Sequence, residues 1–314
     1  MVTSMTPSLV VLGASGFVGQ ALLESDWFPL PVKAVARAVP PAAASRSDVT
    51  WCAADLMTAG SLDAVLSPGD IVINLAFAMS AGEAANVALI QHVIDACVRR
   101  RAVRLVHCST AVIAGAASTD RIDETTPCEP LTPYETTKWA VEQCVIRASA
   151  AGLDAVILRP TAVVGPGGEN LRKLTRALLT GNVLNNYLRA CLFGRRNMHL
   201  VPVRDVVAAV LHVATMPAPL RGEVYIVSAD TDPANAFDRV EAELRLGLGL
   251  AARMLPVVRV PPGALGFLLR LLGRSETNLR RVYDSAKLRA TGFVPVDSVA
   301  AAVREFGEQY GREE

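Results

Sequence analysis

The sequence lacks the features that mark several large classes of protein. Its 31 basic and 30 acidic residues leave almost no net charge, so nothing favours nucleic acid or an anionic membrane as a partner. No uninterrupted apolar run reaches the roughly 18 to 20 residues of a membrane-spanning helix. The nearest candidate, residues 263–272, is short and contains Arg270. The N-terminus carries no basic region followed by an apolar segment, which predicts a cytoplasmic protein.

Patterns that would indicate metal or disulfide sites are also missing. The six cysteines form no C-x-x-C pair and lie in apolar surroundings, as small buried hydrophobic residues do. The four histidines are isolated and show no metal-ligand spacing. We therefore expect no metal site. The 314 residues predict one large domain or two interleaved ones.

Three glycines stand near the start of the chain, directly after the apolar run 10–12, with the spacing G-x-x-G-x-x-G. Gly13 allows a tight turn, Gly16 lets backbone amides approach a pyrophosphate, and Gly19 lets a helix pack closely on the sheet. The N-terminus of that helix supplies amide donors and a partial positive charge for phosphate groups. The pattern predicts a dinucleotide site, which also includes Ser15, Phe17 and Val18.

The second predicted strand, 32–36, ends at Arg37, and no acidic residue follows until Asp48. At this place in a dinucleotide-binding fold an acid accepts hydrogen bonds from a ribose 2′-hydroxyl, whereas an arginine suits a 2′-phosphate. The sequence therefore favours NADP(H), with NAD(H) as the alternative. An ordinary solvated arginine at a strand end is the other interpretation of Arg37.

Apolar runs alternate with helical stretches over the first 160 residues. Further strands are predicted at 49–56, 70–76, 104–108 and 154–159, and helices at 86–101 and 134–150. This alternation predicts an α/β fold, a doubly wound parallel sheet of the Rossmann type. We expect a dinucleotide-binding domain over 1–165, to which 200–228 returns. Residues 166–314, which end in a helix over 296–310, are expected to form mainly a smaller C-terminal substrate-binding cap.

Tyr134 and Lys138 stand four residues apart on a predicted helix, so their side chains share one face. A free phenol titrates near 10. An ammonium about 4 Å away stabilises the phenolate by up to ~4 kcal/mol at an effective dielectric of about 20. The pair therefore predicts a general acid and base, Tyr134, whose pKa Lys138 lowers toward ~7 with the help of an oxidised nicotinamide. Lys138 would also anchor the ribose. The ordinary interpretation of such a pair is a solvated helix face.

Hydroxyl groups follow the predicted strand 104–108, at the sheet edge that also carries the glycine turn. A hydroxyl there can donate to a substrate carbonyl or alcohol and hold it against Tyr134. Thr110 is the first candidate and Ser109 the second. A strand-end residue that bonds its own loop is the alternative for each.

These features together resemble the extended short-chain dehydrogenases/reductases, also called the NAD-dependent epimerase/dehydratase family. The resemblance covers the first two-thirds of the chain, in the pieces 13–19, 54–56, 72–76, 86–87, 109–115, 124–138, 158–160, 165–166 and 201–206. It implies that Asp55 contacts the adenine and that Leu75, Ala76 and the stretch from Pro160 to Val163 line the cofactor. Leu56 and Asn86 stand in two matching pieces and join this cofactor-binding set. The resemblance also implies that Thr110, Tyr134 and Lys138 are catalytic in hydride transfer. Homodimers that form through a pair of helices are common in such families, so a homodimer is possible here.

The chain departs from the family where nucleotide-sugar members carry an asparagine, within 161–164, and a tyrosine, at Ala114. Family members usually carry charged residues just before the late strand, and here residues 197–201 stand in their place. Five basic residues could still neutralise a diphosphate, unless they are a solvated surface: Arg172, Lys173, Arg176, Arg195 and Arg196.

Three functions follow from this resemblance. The first is hydride transfer to or from a small-molecule substrate, a nucleotide-sugar, by 4-keto reduction, epimerisation or dehydration. The alternative is an NADPH-dependent carbonyl reductase or hydroxy-dehydrogenase of the dihydroflavonol-reductase or 3β-hydroxysteroid-dehydrogenase type. It is favoured by Arg37 and by the apolar segment 263–272. The third is a cofactor-binding regulator without turnover. The presence of Tyr134 and Lys138 argues against it, because a protein that only binds the cofactor does not need the phenol–ammonium pair.

Overall fold

The computed structural model describes residues 7–25, 28–40, 48–115, 117, 119–253 and 280–313. Residue contacts divide the chain into two units. Unit 1 contains 1–115, 128–159 and 207–225, and unit 2 contains 116–127, 160–206 and 226–314. The division differs from the predicted domains in four places, because 116–127, 160–165, 200–206 and 226–228 belong to unit 2. The apolar segment 263–272 lies outside the described residues.

Seven strands form the main sheet, in the order β10-β7-β5-β4-β1-β2-β3. Their bounds are β1 (Leu9–Leu12), β2 (Val32–Ala36), β3 (Val49–Ala53), β4 (Ile71–Asn74), β5 (Arg104–Cys108), β7 (Ala155–Pro160) and β10 (Glu223–Val227). The pairs from β7 to β3 are parallel. Strand order reverses between β1 and β4, which places a crevice outside the carboxyl ends of these two strands. The predicted doubly wound sheet is confirmed.

The helices of unit 1 are α1 (Phe17–Leu23), α2 (Gly82–Arg100), α3 (Pro133–Ala150) and α6 (Val203–Thr215), whose first residues belong to unit 2. α2 and α3 pack against one face of the sheet, where Val72, Leu105, Ile90 and Val145 are fully or almost fully buried. The central strands are apolar on both faces, as strands covered by helices must be. This packing fixes the strand ends that carry the site.

Unit 2 has its own apolar core, in which Leu200, Val240, Val303 and Phe306 are buried. Its strands are β6 (Arg121–Ile122), β8 (Ala162–Val164), β9 (Leu200–Pro202) and β11 (Val282–Tyr283). Its helices are α4 (Arg172–Thr180), α5 (Val183–Phe193), α7 (Phe237–Gly247), α8 (Ala286–Ala290) and α9 (Val299–Glu313). β8 pairs with β9 and β11 with β6, both in parallel. β9 therefore does not join the main sheet, contrary to the predicted return of 200–206 to the first domain.

None of the helices described here is long and apolar enough to cross a membrane. Within the same residues, no group of three or more histidine, cysteine or acidic side chains could hold a metal ion.

Candidate active site

The glycine turn joins β1 to α1 at the strand-order reversal. Gly13 has φ +79°, and a Cβ there would lie 2.9 Å from the Ala76 backbone nitrogen. A Cβ on Gly19 would lie 2.4 Å from the Gly13 carbonyl oxygen, so helix and turn touch through backbone alone. A Cβ on Gly16 would meet only that same oxygen, at 3.3 Å, which leaves the outer side of the turn open. The three glycines thus have the three geometries that a dinucleotide-binding turn needs.

The predicted cofactor residues around this turn lie at the surface of the sheet edge. Ser15 and Gly16 are exposed, Phe17 and Val18 are half-buried, and α1 begins at Phe17 without a side-chain cap. Because the first amides of a helix have no intrahelical partner, they are available to an anion.

The ends of β2 and β3 carry the next predicted residues. Arg37 follows β2 and is exposed. β3 ends at Ala53, so Asp55 lies in the loop beyond it, where its carboxylate accepts from the Met57 amide at 3.1 Å. Asp55 is exposed, whereas Leu56 is buried. The arginine and the carboxylate therefore reach solvent at the same edge, and Leu56 supports the loop from below.

The loop after β4 contains Leu75 and Ala76, both half-buried. The Asn86 amide holds this loop from α2, since its Oδ1 accepts from the Ala78 amide at 2.9 Å and its Nδ2 donates to the Ala78 carbonyl at 3.0 Å. Asn86 is buried and bonded to backbone. It shapes the cofactor loop, and its predicted direct contact stays a prediction.

α3 starts with a reciprocal cap that fixes the position of Tyr134. The Thr132 hydroxyl accepts from the Glu135 amide at 3.3 Å, and the Glu135 carboxylate accepts from the Thr132 amide at 3.2 Å. Pro133 occupies the first helical position, where a missing N–H costs nothing. The helix therefore begins one residue before Tyr134, and one turn later it carries Lys138 on the same side.

The Phe77 ring contacts both of these side chains. The Lys138 ammonium is 4.3 Å from the centre of the Phe77 ring, and the Tyr134 ring meets it edge-on at 5.6 Å between centroids. Lys138 also donates to the Cys108 carbonyl at 3.3 Å and is buried, while Tyr134 is 38% exposed. Sequence reasoning missed Phe77. The available signal was its place directly after the matching piece 72–76, at the same sheet edge.

The pKa of Tyr134 differs from the expected one. Burial raises it, the neighbouring Cys108 and Glu135 add to the rise, and a hydrogen bond with the Thr110 side chain lowers it in part. Burial lowers the pKa of Lys138, against the charges of Cys108 and Glu142. The predicted lowering of the phenol pKa by Lys138 is therefore wrong for the protein alone, because burial raises the pKa of Tyr134 and the Lys138 ammonium is not among the groups that shift it.

The two candidate hydroxyls differ in their partners. Thr110 is extended, with φ −157° and ψ 146°, and its side chain is hydrogen-bonded with Tyr134. Ser109 is also buried, yet its hydroxyl has no hydrogen-bond partner in the described part of the chain. The geometry therefore brings Thr110, and not Ser109, to Tyr134. The Thr110 hydroxyl also accepts from the Val112 amide at 3.5 Å, as the alternative of a residue that bonds its own loop predicts.

The remaining predicted residues belong to unit 2. Pro160 is the last residue of β7 and is buried, and Val163 is half-buried in β8. Arg172 lies 3.2 Å from Glu169 and over the Tyr310 ring. The other four predicted basic residues are exposed: Lys173, Arg176, Arg195 and Arg196.

The site combines a glycine turn at the strand-order reversal with a Thr110–Tyr134–Lys138 group on unit 1. A family model described as the NAD dependent epimerase/dehydratase family matches residues 9–228, which is more than half of the chain. The chain belongs to this family. The resemblance inferred from the sequence is confirmed, and enzymes of the epimerase/dehydratase family depend on a nicotinamide dinucleotide.

One curated protein is similar to this chain in sequence, and solved structures are similar to it in fold. Sterol demethylase protein B from Methylococcus capsulatus is 35% identical over 136 residues, 42% of this chain and 40% of that protein. The match therefore spans well under half of that relative. The dTDP-glucose 4,6-dehydratase of Bacillus anthracis, solved with NAD, has a TM-score of 0.72 at 15% identity and covers 98% of this chain and 97% of its own. RMD from Pseudomonas aeruginosa, solved with NADPH, reaches 0.68 at 19% identity, with 98% and 100% covered. At these identities the solved structures show the fold.

Proposed function

We propose that this protein catalyses NADP(H)-dependent hydride transfer to or from a carbon of a nucleotide-sugar, in 4-keto reduction, epimerisation or dehydration. The observation that carries the proposal is the Tyr134 phenol, which interacts with the Thr110 side chain and whose ring contacts the same Phe77 ring as the buried Lys138 ammonium. A regulator that only bound the cofactor would have no use for this group. Family membership supports the same class of reaction.

The cofactor is assigned to the edge formed by the glycine turn, the loop after β4 and the ends of β2 and β3. The open side of Gly16 and the amides at the start of α1 suit the pyrophosphate, and Asp55 suits the adenine end. The exposed Arg37, with no acid beside it, supports NADP(H) over NAD(H).

The chemistry follows from three side chains. When bound, the nicotinamide supplies or accepts a hydride at C4. Thr110 holds the substrate oxygen, and Tyr134 gives or takes the proton at that oxygen. The Cys108 carbonyl and the Phe77 ring hold the Lys138 ammonium and favour its charged form, against the burial that lowers its pKa. With the cofactor's positive charge added, the pKa of Tyr134 falls from its raised value toward the range where proton transfer is efficient.

Unit 2 is assigned to substrate binding. Its four exposed basic residues on and after α4 and α5 could neutralise a diphosphate, and Glu169 is the sole acidic residue between 160 and 200. The dTDP-glucose 4,6-dehydratase of Bacillus anthracis shares the fold along almost the whole chain, which supports this class of substrate.

A second candidate is a carbonyl reductase or hydroxy-dehydrogenase that acts on an apolar ketone or alcohol. One observation favours it: the relative with 35% identity is called a sterol demethylase protein. The absence of the family's usual asparagine from 161–164 points the same way.

Thermal unfolding with saturating NADP+ separates the two candidates. UDP- and dTDP-sugars are added to one set of samples, and aromatic or steroidal ketones to another. A ligand at a hundredfold its dissociation constant adds about 2.7 kcal/mol of stability, which moves the midpoint by several degrees. Turnover is followed in the same samples by the absorbance of the reduced nicotinamide.

A shift and turnover with the nucleotides alone support the first proposal. A shift with the ketones alone overturns it in favour of the second. The variant Lys173→Ala/Arg176→Ala is the matched test of the diphosphate contact, and Arg312→Ala on α9 is its control. If the nucleotide shift survives the first variant unchanged, these residues do not hold the diphosphate.

We also propose a cytoplasmic location and a homodimer. All six cysteines are free, as thiols are in a reducing compartment. Subcellular fractionation tests the location, and light scattering after size-exclusion chromatography tests the dimer.

A further inference from the structure

His107 and Ser109 carry polar atoms that the proposed chemistry does not use. His107 lies in β5, 1% exposed, and Ser109 follows that strand, 4% exposed. Neither His107 Nε2 nor Ser109 Oγ has a hydrogen-bond partner among the residues the structure describes. Buried polar groups are nearly always paired, because an unpaired one loses its bonds to water without replacement. Two such atoms beside a catalytic group therefore point to a ligand.

The hydrogen bonds of Asn74 decide which histidine nitrogen carries the proton. Asn74 Oδ1 accepts from the Ala76 backbone amide at 3.2 Å, so the Nδ2 group faces His107 and donates to Nδ1 at 3.1 Å. His107 Nδ1 is thus an acceptor, and in the neutral ring the proton sits on Nε2. Burial and the nearby Lys138 charge lower the pKa of His107 to about 3, which keeps the ring neutral. The unpaired atom is therefore an N–H donor.

The two unpaired atoms lie on the same face of the strand. The Ser109 amide donates to the Leu158 carbonyl at 2.8 Å, and Thr110 is extended, so the strand alternation continues through Ser109. Residues two apart on a strand are about 6.6 Å apart. Since the two side-chain atoms make no hydrogen bond with each other, this backbone spacing suits one small molecule that bonds to both.

We propose that His107 Nε2 and Ser109 Oγ hold one buried water molecule at the carboxyl end of β5. The water accepts from the imidazole N–H and exchanges a hydrogen bond with the serine hydroxyl. The ring in turn anchors Asn74, and Asn74 anchors the Ala76 amide beside the glycine turn. His107 is thus a positioning residue for the cofactor loop. This last role rests on the proposed function, whereas the water site does not.

A double-mutant cycle on stability tests the water. His107→Phe and Ser109→Ala each remove one side of the site, and each is expected to lower the unfolding midpoint by a few degrees. Because both substitutions remove the same water, the double variant should be no less stable than the less stable of the two single variants. Ser149→Ala is the matched control, since it removes another buried unpaired hydroxyl, and its effect should add to that of His107→Phe. Full additivity of the 107 and 109 effects overturns the shared water.

A second measurement covers the case in which His107→Phe does not fold. Nitrogen-15 NMR of the histidine-labelled wild type should show His107 neutral across the physiological range, with the proton on Nε2 and slow exchange with solvent. A proton on Nδ1 or a titration near neutral pH overturns the assignment. A high-resolution crystal structure should show the water itself, and its absence from well-ordered density would exclude it.

The link to the cofactor has its own readout. His107→Phe, or His107→Gln if the first variant is unstable, should weaken NADP+ binding roughly three- to tenfold through Asn74. Ser109→Ala should weaken it less. Equal binding by all variants would overturn the positioning role and leave the stability cycle as the test of the water. If no substrate is ever turned over, the cycle and the NMR result still stand.

Discussion

The ammonium of Lys138 lies over the face of Phe77, 4.3 Å from the ring centre. No described carboxylate forms an ion pair with it, so its charge is held by a π-system and by the Cys108 carbonyl. A carboxylate partner would cancel the field that Tyr134 and a cofactor ribose need. The ring stabilises the charge without cancelling it.

Phe77→Leu keeps an apolar side chain of similar size and removes the ring. A desolvated cation–π contact contributes about 2 kcal/mol, so kcat should fall about thirtyfold while the protein stays folded. Steady-state kinetics with a thermal melt measure both. Phe306→Leu, in the core of unit 2, is the control and should lower stability without changing kcat. A Phe77→Leu enzyme with wild-type kcat would show that the ring has no catalytic role.

Tyr134→Phe removes the proton donor and keeps the ring against Phe77. Turnover should fall 10²- to 10⁴-fold or more. The cofactor dissociation constant, measured by fluorescence titration, should change little. The control is Tyr310→Phe on α9. Unchanged turnover in the Tyr134 variant would sink the assigned role.

The pKa of Tyr134 gives a prediction for the protein without ligand. Burial raises the phenol pKa, so the difference in ultraviolet titration between wild type and Tyr134→Phe should have its midpoint above the ordinary value of about 10. Saturating NADP+ adds a positive charge, which favours the phenolate and should move the midpoint down. In the direction that oxidises an alcohol, activity should therefore rise with pH. A midpoint that ignores NADP+ contradicts the proposed site.

Arg37→Asp exchanges a group suited to a 2′-phosphate for one suited to a 2′-hydroxyl. The ratio of kcat/KM for NADPH to that for NADH should fall by at least tenfold. Arg312→Asp, an exposed arginine on α9, is the charge-matched control. A ratio that stays constant would show that Arg37 does not contact the ribose.

Gly16 and Gly19 should respond differently to alanine. In Gly19→Ala the new Cβ meets backbone at 2.4 Å, so the free energy of unfolding should fall by about 1–3 kcal/mol. In Gly16→Ala it meets one oxygen at 3.3 Å, so the fold should hold while cofactor affinity drops. Gly311→Ala, in open space on α9, should be neutral or slightly stabilising. Urea unfolding and cofactor titration separate the three, and equal stability losses at 16 and 19 would contradict this geometry.

The sequence predicted what local pattern controls. The strand–turn–helix around Gly13 and the helix from Tyr134 follow from glycine spacing and from the alternation of apolar runs with helical stretches. The cap formed by Thr132 and Glu135 was not predicted. What it did not predict depends on residues far apart in the chain. The Phe77–Lys138 contact, the Asn74–His107 pair and the buried Arg159–Glu142 ion pair each join different elements, and no spacing rule connects them. The predicted direction of the Tyr134 pKa shift was wrong for the same reason, because the burial of the phenol depends on tertiary packing.

The close approach of Gly13 to Ala76 also has a consequence for engineering. With φ +79° and no room for a Cβ, the first turn of the chain is shaped against a loop encoded far downstream. The two segments are shaped against each other, so a turn transplanted from a relative should function only when its own post-β4 loop comes with it. Libraries that alter cofactor choice should therefore diversify both segments together.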